Sequence, residues 1–217
     1  MHLLEELDVV EYDVPHSAAM NMAIDEALLQ SAVRPTLRFF CWLRPALSFG
    51  YFGSFADVAH QGGDRDVVRR WTGGGIVLHG DDLTYSVVLP GRLTISSNAV
   101  YSHIHGAIRM ALPRDMNIVL AAEAAPKLSE ACFSNPVEAD VMFEGRKIAG
   151  AAQRRTRTGL LHQGCIQHAC LPADFPKRFP AALCGSFQRA SLSRELVRDA
   201  QTIADRRYST TEWLHQR

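Results

Sequence analysis

Apolar residues recur at three- and four-residue spacings over residues 17–30, where Met20, Ala23, Ile24, Ala27 and Leu28 fall on one side. That spacing predicts a helix with one buried face, with Pro15 ahead of it and Ser17 as its N-cap. Asp25 and Glu26, in mid-helix, are expected to face solvent. The period then shortens. Residues 36–42 are dense in aromatic and β-branched side chains and predict a strand, which Pro45 breaks before a second one at 46–51. Further strands are predicted at 67–70, 76–79 and 83–89, the last two flanking Gly80-Asp81-Asp82 as a hairpin turn. A helix follows from Ser97 or Asn98 to Leu112, with Tyr101, Ile104, His105, Ile108 and Leu112 inward and His103 at the surface. Residues 137–143 and 147–155 read as two strands joined at Glu144-Gly145. An extended second strand would put Lys147, Ala149, Ala151 and Gln153 on one face, with Gly150 leaving room for a ligand beside the lysine. A strand over 160–170 and an amphipathic helix over 191–207 complete the pattern. Strands interleaved with helices predict an α+β or mixed α/β domain.

Composition narrows the functional classes. A chain of 217 residues with 47% hydrophobic and 21% charged residues is long enough for one domain with a full core, or two small ones. Zero formal net charge argues against broad nucleic-acid binding. No apolar run is long enough for a membrane span, and the N-terminus is acidic where a signal peptide would be basic. Cys41, Cys132, Cys165, Cys170 and Cys184 form an odd set without framework spacing, so reduced thiols in the cytoplasm are expected.

The candidate chemistry centres on Arg69-Arg70-Trp71-Thr72-Gly73-Gly74-Gly75, which leads into a strand ending at His79. Glycines without Cβ let a ligand approach the backbone and permit positive φ. The run is no P-loop, because no Gly-Lys-Ser/Thr follows, and it lacks the dinucleotide-binding spacing. His162, Cys165, His168 and Cys170 have zinc-ligand chemistry, but one strand points Cys165 away from the others, so no metal is expected. Arg154, Arg155 and Arg157 read either as a solvated hairpin tip or as a docking patch for an acidic protein.

Taken in order, several blocks resemble the lipoate–protein ligase and octanoyltransferase superfamily, itself related to biotin protein ligases. They are residues 21–29, the strand pair 37–51, the loop 69–79 with Leu83-Thr84-Tyr85-Ser86, the block 145–153, and Leu161-His162-Gln163-Gly164. The resemblance implies one biotin/lipoate protein ligase-like catalytic domain over 1–217, with mixed central sheets flanked by helices and no C-terminal accessory domain. It implies an acyl pocket bound by Arg70, Thr72, Gly73, Gly74, Gly75, His79 and Gly150, with Lys147 at the reacting carbonyl. Ala131-Cys132-Phe133-Ser134-Asn135-Pro136, fifteen residues before Lys147, resembles the cysteine loop of the ligase-like octanoyltransferases. Cys132 would then carry an acyl thioester, as a thiolate is a competent acceptor; Cys184 is the rival nucleophile. Gln163 stands where many relatives have histidine, so His162 does not inherit that role securely. The implied reaction moves octanoyl or lipoyl groups from acyl carrier protein to lipoyl-domain lysines, as in glycine cleavage H protein and 2-oxoacid dehydrogenase E2, with no tightly bound cofactor. The alternatives are a lipoate ligase using ATP, Mg2+ and lipoate, and a non-catalytic acyl- or partner-binding module.

Overall fold

The structure, a computed structural model, describes residues 3–11, 14–124, 135–167 and 171–216. The strands run β1 (Leu4–Val10), β2 (Thr36–Phe40), β3 (Ala46–Phe49), β4 (Asp66–Arg69), β5 (Val77–His79), β6 (Leu83–Pro90), β7 (Ile118–Leu120), β8 (Val141–Phe143), β9 (Arg146–Arg155), β10 (Gly159–Ile166) and β11 (Cys184–Arg189). The helices are α1 (Ala18–Ser31), α2 (Ser97–Ala111), α3 (Phe175–Leu183), α4 (Arg194–Ile203) and α5 (Thr211–Leu214). Eight strands form a mixed sheet in the order β11-β1-β2-β6-β10-β9-β8-β7, and β4-β3-β5 form a smaller one. The expected mixed α+β architecture is what the chain adopts.

Strand alternation divides the large sheet between two cores. Leu37, Phe39, Tyr85, Val87 and Leu160 pack with Val100, Ile104 and Ile108 of α2 and Phe175 and Phe179 of α3. On the other face Phe40, Val88 and Leu161 pack with α1 and with Ala200 of α4. Burying each large apolar side chain contributes roughly 1.5–3 kcal/mol, so both faces of the central strands are committed to the core.

Helix α1 starts where the sequence indicates: Ser17 accepts from the Met20 amide at 3.3 Å. Its polar face does not reach solvent, because α4 and the π-helical turn Ala204–Tyr208 cover the outside of α1. Glu26 is buried under that cover and Asp25 against the sheet, where it meets Arg38, both against expectation. Glu26 takes Arg207 at 2.6 and 2.7 Å and the Tyr208 hydroxyl at 2.7 Å, which ties the C-terminal segment to the core.

Three more expectations are corrected. The strands around Gly80-Asp81-Asp82 do not pair with each other: β5 joins β3 in the small sheet, while β6 lies between β2 and β10. The chain changes sheets there. The hairpin at Glu144-Gly145 does form, with both residues at positive φ, but β8 is only three residues long and residues 137–140 make a turn. Its pairing with β9 contains an irregularity at Val141/Met142. An extra residue reverses face parity, so Lys147 lies against Gly150 instead of sharing a face with Ala149. The expected helix over 191–207 begins at Arg194, capped by Ser193, and ends in the π turn.

Candidate active site

The glycine loop is shaped by its two arginines, which do different work. Arg69 is 1% exposed and donates to the carbonyls of Tyr51, Gly53, Trp213, Leu214 and Gln216. It fastens the C-terminal segment. Arg70 turns the other way. Its Nη2 donates to Gly73 O at 3.0 Å and Gly75 O at 2.8 Å, and its Nη1 to Ser48 Oγ at 2.7 Å. Because C=O and N–H point oppositely across a trans peptide, gathering those carbonyls aims the next amides away from the guanidinium. Gly74 sits at φ +85°, where glycine is favoured. Gly50 is equally required, since a Cβ there would fall 2.1 Å from Gly74 O.

Beneath the loop lies a buried polar chain on the α1 side of the sheet. Arg38 and Asp25 pair at 3.1 Å with both side chains fully buried. Asp25 also accepts from Ser86 Oγ at 2.8 Å and Gln163 Nε2 at 2.7 Å, and Thr72 Oγ1 donates to Gln163 Oε1 at 2.8 Å. Burial pushes the Asp25 carboxyl up, opposed by Arg38, Gln163 and Ser86. Gln163 thus links Thr72 to the core, using both ends of its amide; an imidazole has only one donor and one acceptor in its neutral form.

Lys147 lies on β9, buried beside Gly150. Its Nζ lies 2.8 Å from Asp140 Oδ2, with side-chain exposures of 2% and 0%. Asp140 accepts as well from Tyr101 O–H at 2.5 Å and from the Val137 amide at 2.7 Å. Burial, reinforced by the Asp140 charge, raises the Tyr101 pKa and keeps its phenol a donor. The turn that aims Asp140 holds Ala139 at φ +66°, a conformation costing about 1–3 kcal/mol that persists where surroundings enforce it. His105 Nδ1 meets Ala139 O at 2.8 Å from α2. A Cβ at Gly150 would collide with Lys147 Cε at 2.2 Å, so the glycine makes room for the lysine itself.

Arg70, His79 and Gly150 line one narrow cleft with Ser48, Trp42 and Cys165, with about 40 Å³ of free space. Thr72 is buried next to it through Gln163, and Gly74 approaches Ala152 of β9, where a Cβ would stand 3.3 Å away. Lys147 reaches the same wall through Gly150. Cys132 lies outside the described residues, as do His168 and Cys170. Cys184 is not brought to this site: β11 is five strand steps from β9, about 24 Å at the usual interstrand spacing, and its Sγ meets Ser186 O at 2.9 Å. Cys165 faces the cleft, whereas His162 points to the other face toward Tyr85. Among the described residues His79, Asp82 and Cys165 bring possible metal-ligand atoms within 4.8 Å of one another, but both ring nitrogens of His79 already have hydrogen-bond partners. In the basic cluster, Arg154 covers the Tyr51 and Trp71 rings, and Arg155 donates to Leu93 O and Ile95 O; Arg157 is exposed.

Sequence reasoning missed Asp140, Ser48, Asp82, Gly50 and Asp25. Asp140 had a local signal: a hairpin turning at Glu144-Gly145 brings residues near 140 opposite those near 150, and Val141 indeed pairs with Ala149. Asp82 is also local, bonding His79, Gly80 and Thr84 within three residues, while Ser48, Gly50 and Asp25 depend on contacts between remote segments.

The family model for the lipoyl protein ligase A/B catalytic domain matches residues 17–198. The octanoyltransferase LipM of Oceanobacillus iheyensis is 37% identical over 167 residues, covering 71% of this chain and 61% of that protein. The same-named protein of Carboxydothermus hydrogenoformans is 39% identical over 166 residues, covering 69% and 61%. The chain thus spans about three-fifths of the length of these relatives. Among solved structures, a bipartite lipoate protein ligase from Thermoplasma acidophilum superposes with a TM-score of 0.69 at 22% identity, covering 99% of this chain and 97% of that one, and so shares the fold. No helix among the described residues is long and apolar enough to cross a membrane. With 182 of its positions inside the family model, residues 17–198, the chain belongs to the lipoyl protein ligase A/B catalytic domain family.

Proposed function

We propose that this protein transfers an octanoyl group to a lysine of a lipoyl-domain protein, with octanoyl–acyl carrier protein as donor. The observation that carries the reading is the buried Lys147–Asp140 pair set against Gly150, in the wall of the cleft that also holds Arg70 and His79. The octanoyltransferase relatives support the same chemistry. H protein and E2 lipoyl domains are the acceptors proposed, in the cytoplasm, and the reaction needs neither ATP nor a metal.

In the first half-reaction the Cys132 thiolate attacks the donor thioester carbonyl. A new carbon–sulfur bond forms, the carrier's thiolate leaves, and that sulfur takes up a proton. In the second, the acceptor lysine attacks as a neutral amine. The amide bond forms, Cys132 leaves as thiolate, and the amine gives up its proton. Negative charge develops on the carbonyl oxygen in both tetrahedral states. An ammonium at that oxygen stabilises them, which is the role assigned to Lys147, while Asp140 keeps its Nζ in place. The glycine-loop amides, turned by Arg70, are further donors.

The test is octanoylation of an isolated lipoyl domain from octanoyl–acyl carrier protein without ATP, beside a parallel reaction with lipoate, ATP and Mg2+. Modification in the first reaction supports the transferase. Modification only in the second overturns it in favour of a ligase, and modification in neither favours a binding module.

A further inference from the structure

A carboxylate, an imidazole and a hydroxyl form a continuous chain that ends on Arg70. Asp82 Oδ2 lies 2.7 Å from His79 Nδ1, His79 Nε2 lies 2.7 Å from Ser48 Oγ, and Arg70 Nη1 donates to that Oγ at 2.7 Å. The two ends fix the direction of every proton. A guanidinium only donates and an ionised carboxylate only accepts, so Ser48 Oγ receives the Arg70 N–H and His79 Nδ1–H is given to Asp82. Neutral His79 then presents Nε2 as an acceptor, and the Ser48 hydroxyl proton points to it.

The far end is itself held. Asp82 receives the Gly80 amide at 3.0 Å and the Thr84 hydroxyl at 3.0 Å, and Trp42 Nε1 donates to Thr84 Oγ1 at 2.8 Å. The Trp42 ring stacks on His79 with centroids 4.3 Å apart. Burial favours neutral His79, as do the charges of Arg70 and Arg65, against the pull of Asp82. Burial would raise the Asp82 pKa, but its bonds from His79, Gly80 and Thr84 prevail and keep it below the ordinary carboxylate value. Cys165 is a further ionisable neighbour of this group.

We propose that Asp82, His79 and Ser48 act as a positioning relay that fixes the Arg70 guanidinium and, through Gly73 O and Gly75 O, the backbone of the glycine loop for acyl transfer. This deepens the octanoyltransferase reading and rests on it. The atom order matches that of a hydrolase triad, but Ser48 has a different task here. It is fully buried and its oxygen already accepts from Arg70, which makes it a bridge between cation and imidazole and a poor nucleophile.

Nitrogen-15 NMR of histidine-labelled protein at neutral pH tests the relay without any need for activity, the His79 signals being assigned with His79→Gln. Protonated Nδ1 with bare Nε2 supports it; protonated Nε2 overturns it. In parallel, Ser48→Ala and Asp82→Asn are compared with wild type in single-turnover octanoyl transfer. The rate at saturating donor should fall roughly tenfold to a hundredfold, the loss of one charge-assisted hydrogen bond, with the donor half-saturation little changed and Asp82→Glu recovering most of the rate. Folded variants with unchanged rates overturn the relay. A wild type that transfers no octanoyl overturns the functional reading instead, and the His79 tautomer still decides the relay.

Discussion

Asp25 and Asp140 are both fully buried carboxylates, each facing one cation, yet their settings differ. Asp25 and Arg38 lie between α1 and the sheet, and the surrounding bonds from Ser86 and Gln163 bind strands β6 and β10 to that helix. Asp140 and Lys147 lie behind Gly150 of the cleft wall, with Asp140 aimed by a left-handed Ala139 and backed by Tyr101 and His105. Under the proposed function the two similar ion pairs divide the labour: one supports the platform, and the other is proposed to hold an ammonium for the reacting carbonyl. What separates them is the neighbour on the open side: packed core for Arg38, and glycine beside a cleft for Lys147.

The most disruptive way to break the comparison is Arg38→Met. Leaving Asp25 buried without its cation should cost about 3–5 kcal/mol, read as a lower urea midpoint with an unchanged slope. Lys147→Gln tests the other pair. Its amide still donates to Asp140 but carries no charge, so octanoyl transfer should fall by a factor on the order of 10²–10³, about 2.7–4 kcal/mol of barrier, while the urea midpoint moves far less than in Arg38→Met. If Lys147→Gln lowers stability and leaves the transfer rate intact, the two pairs have the same role.

Titration sharpens the contrast. Burial pulls His105, beside Asp140, from 6.5 down to about 4, with Asp140 and Ala139 opposing and Lys147 adding to the fall. The unfolded chain takes up a proton that the folded one refuses between those values. The stabilising contribution is therefore complete above pH 6.5 and is lost as pH falls toward about 4, roughly 3 kcal/mol in all. His162, held well below its ordinary value by burial, acts in the same direction. Urea unfolding at a series of pH values should show the decline, and His105→Asn should flatten it; an unchanged slope in the variant would remove His105 from the account. The smallest effect on transfer is expected at Cys184→Ser: its thiol is buried in the core at the distant sheet edge, so stability should fall by roughly 0.5–3 kcal/mol with no change in transfer rate.

The sequence carried the local part of this architecture and not its long-range part. Helix α1, its Ser17 cap, strands β2 and β3, and the Glu144-Gly145 hairpin follow from periodicity and turn chemistry within short windows. The family and the glycine loop were legible because ordered motifs survive where geometry is invisible. Burial of Asp25 was not, since it depends on α1 lying against strands whose Arg38, Ser86 and Gln163 come from up to 138 residues away. Nor was the separation of β5 from β6: a polar turn between two apolar runs looks the same whether the strands pair or part into different sheets. A one-residue irregularity moved Lys147 to the Gly150 side, and alternation alone cannot foresee it.

The central claim, acyl transfer through a cysteine thioester, is tested most directly by intact-protein mass spectrometry after incubation with octanoyl–acyl carrier protein in the absence of ATP. Wild type is compared with Cys132→Ser and Cys184→Ser. The account requires one octanoyl adduct, released by hydroxylamine, present in wild type and Cys184→Ser and missing in Cys132→Ser. An adduct that survives Cys132→Ser, or no adduct alongside lipoyl-domain modification with lipoate and ATP, would contradict it.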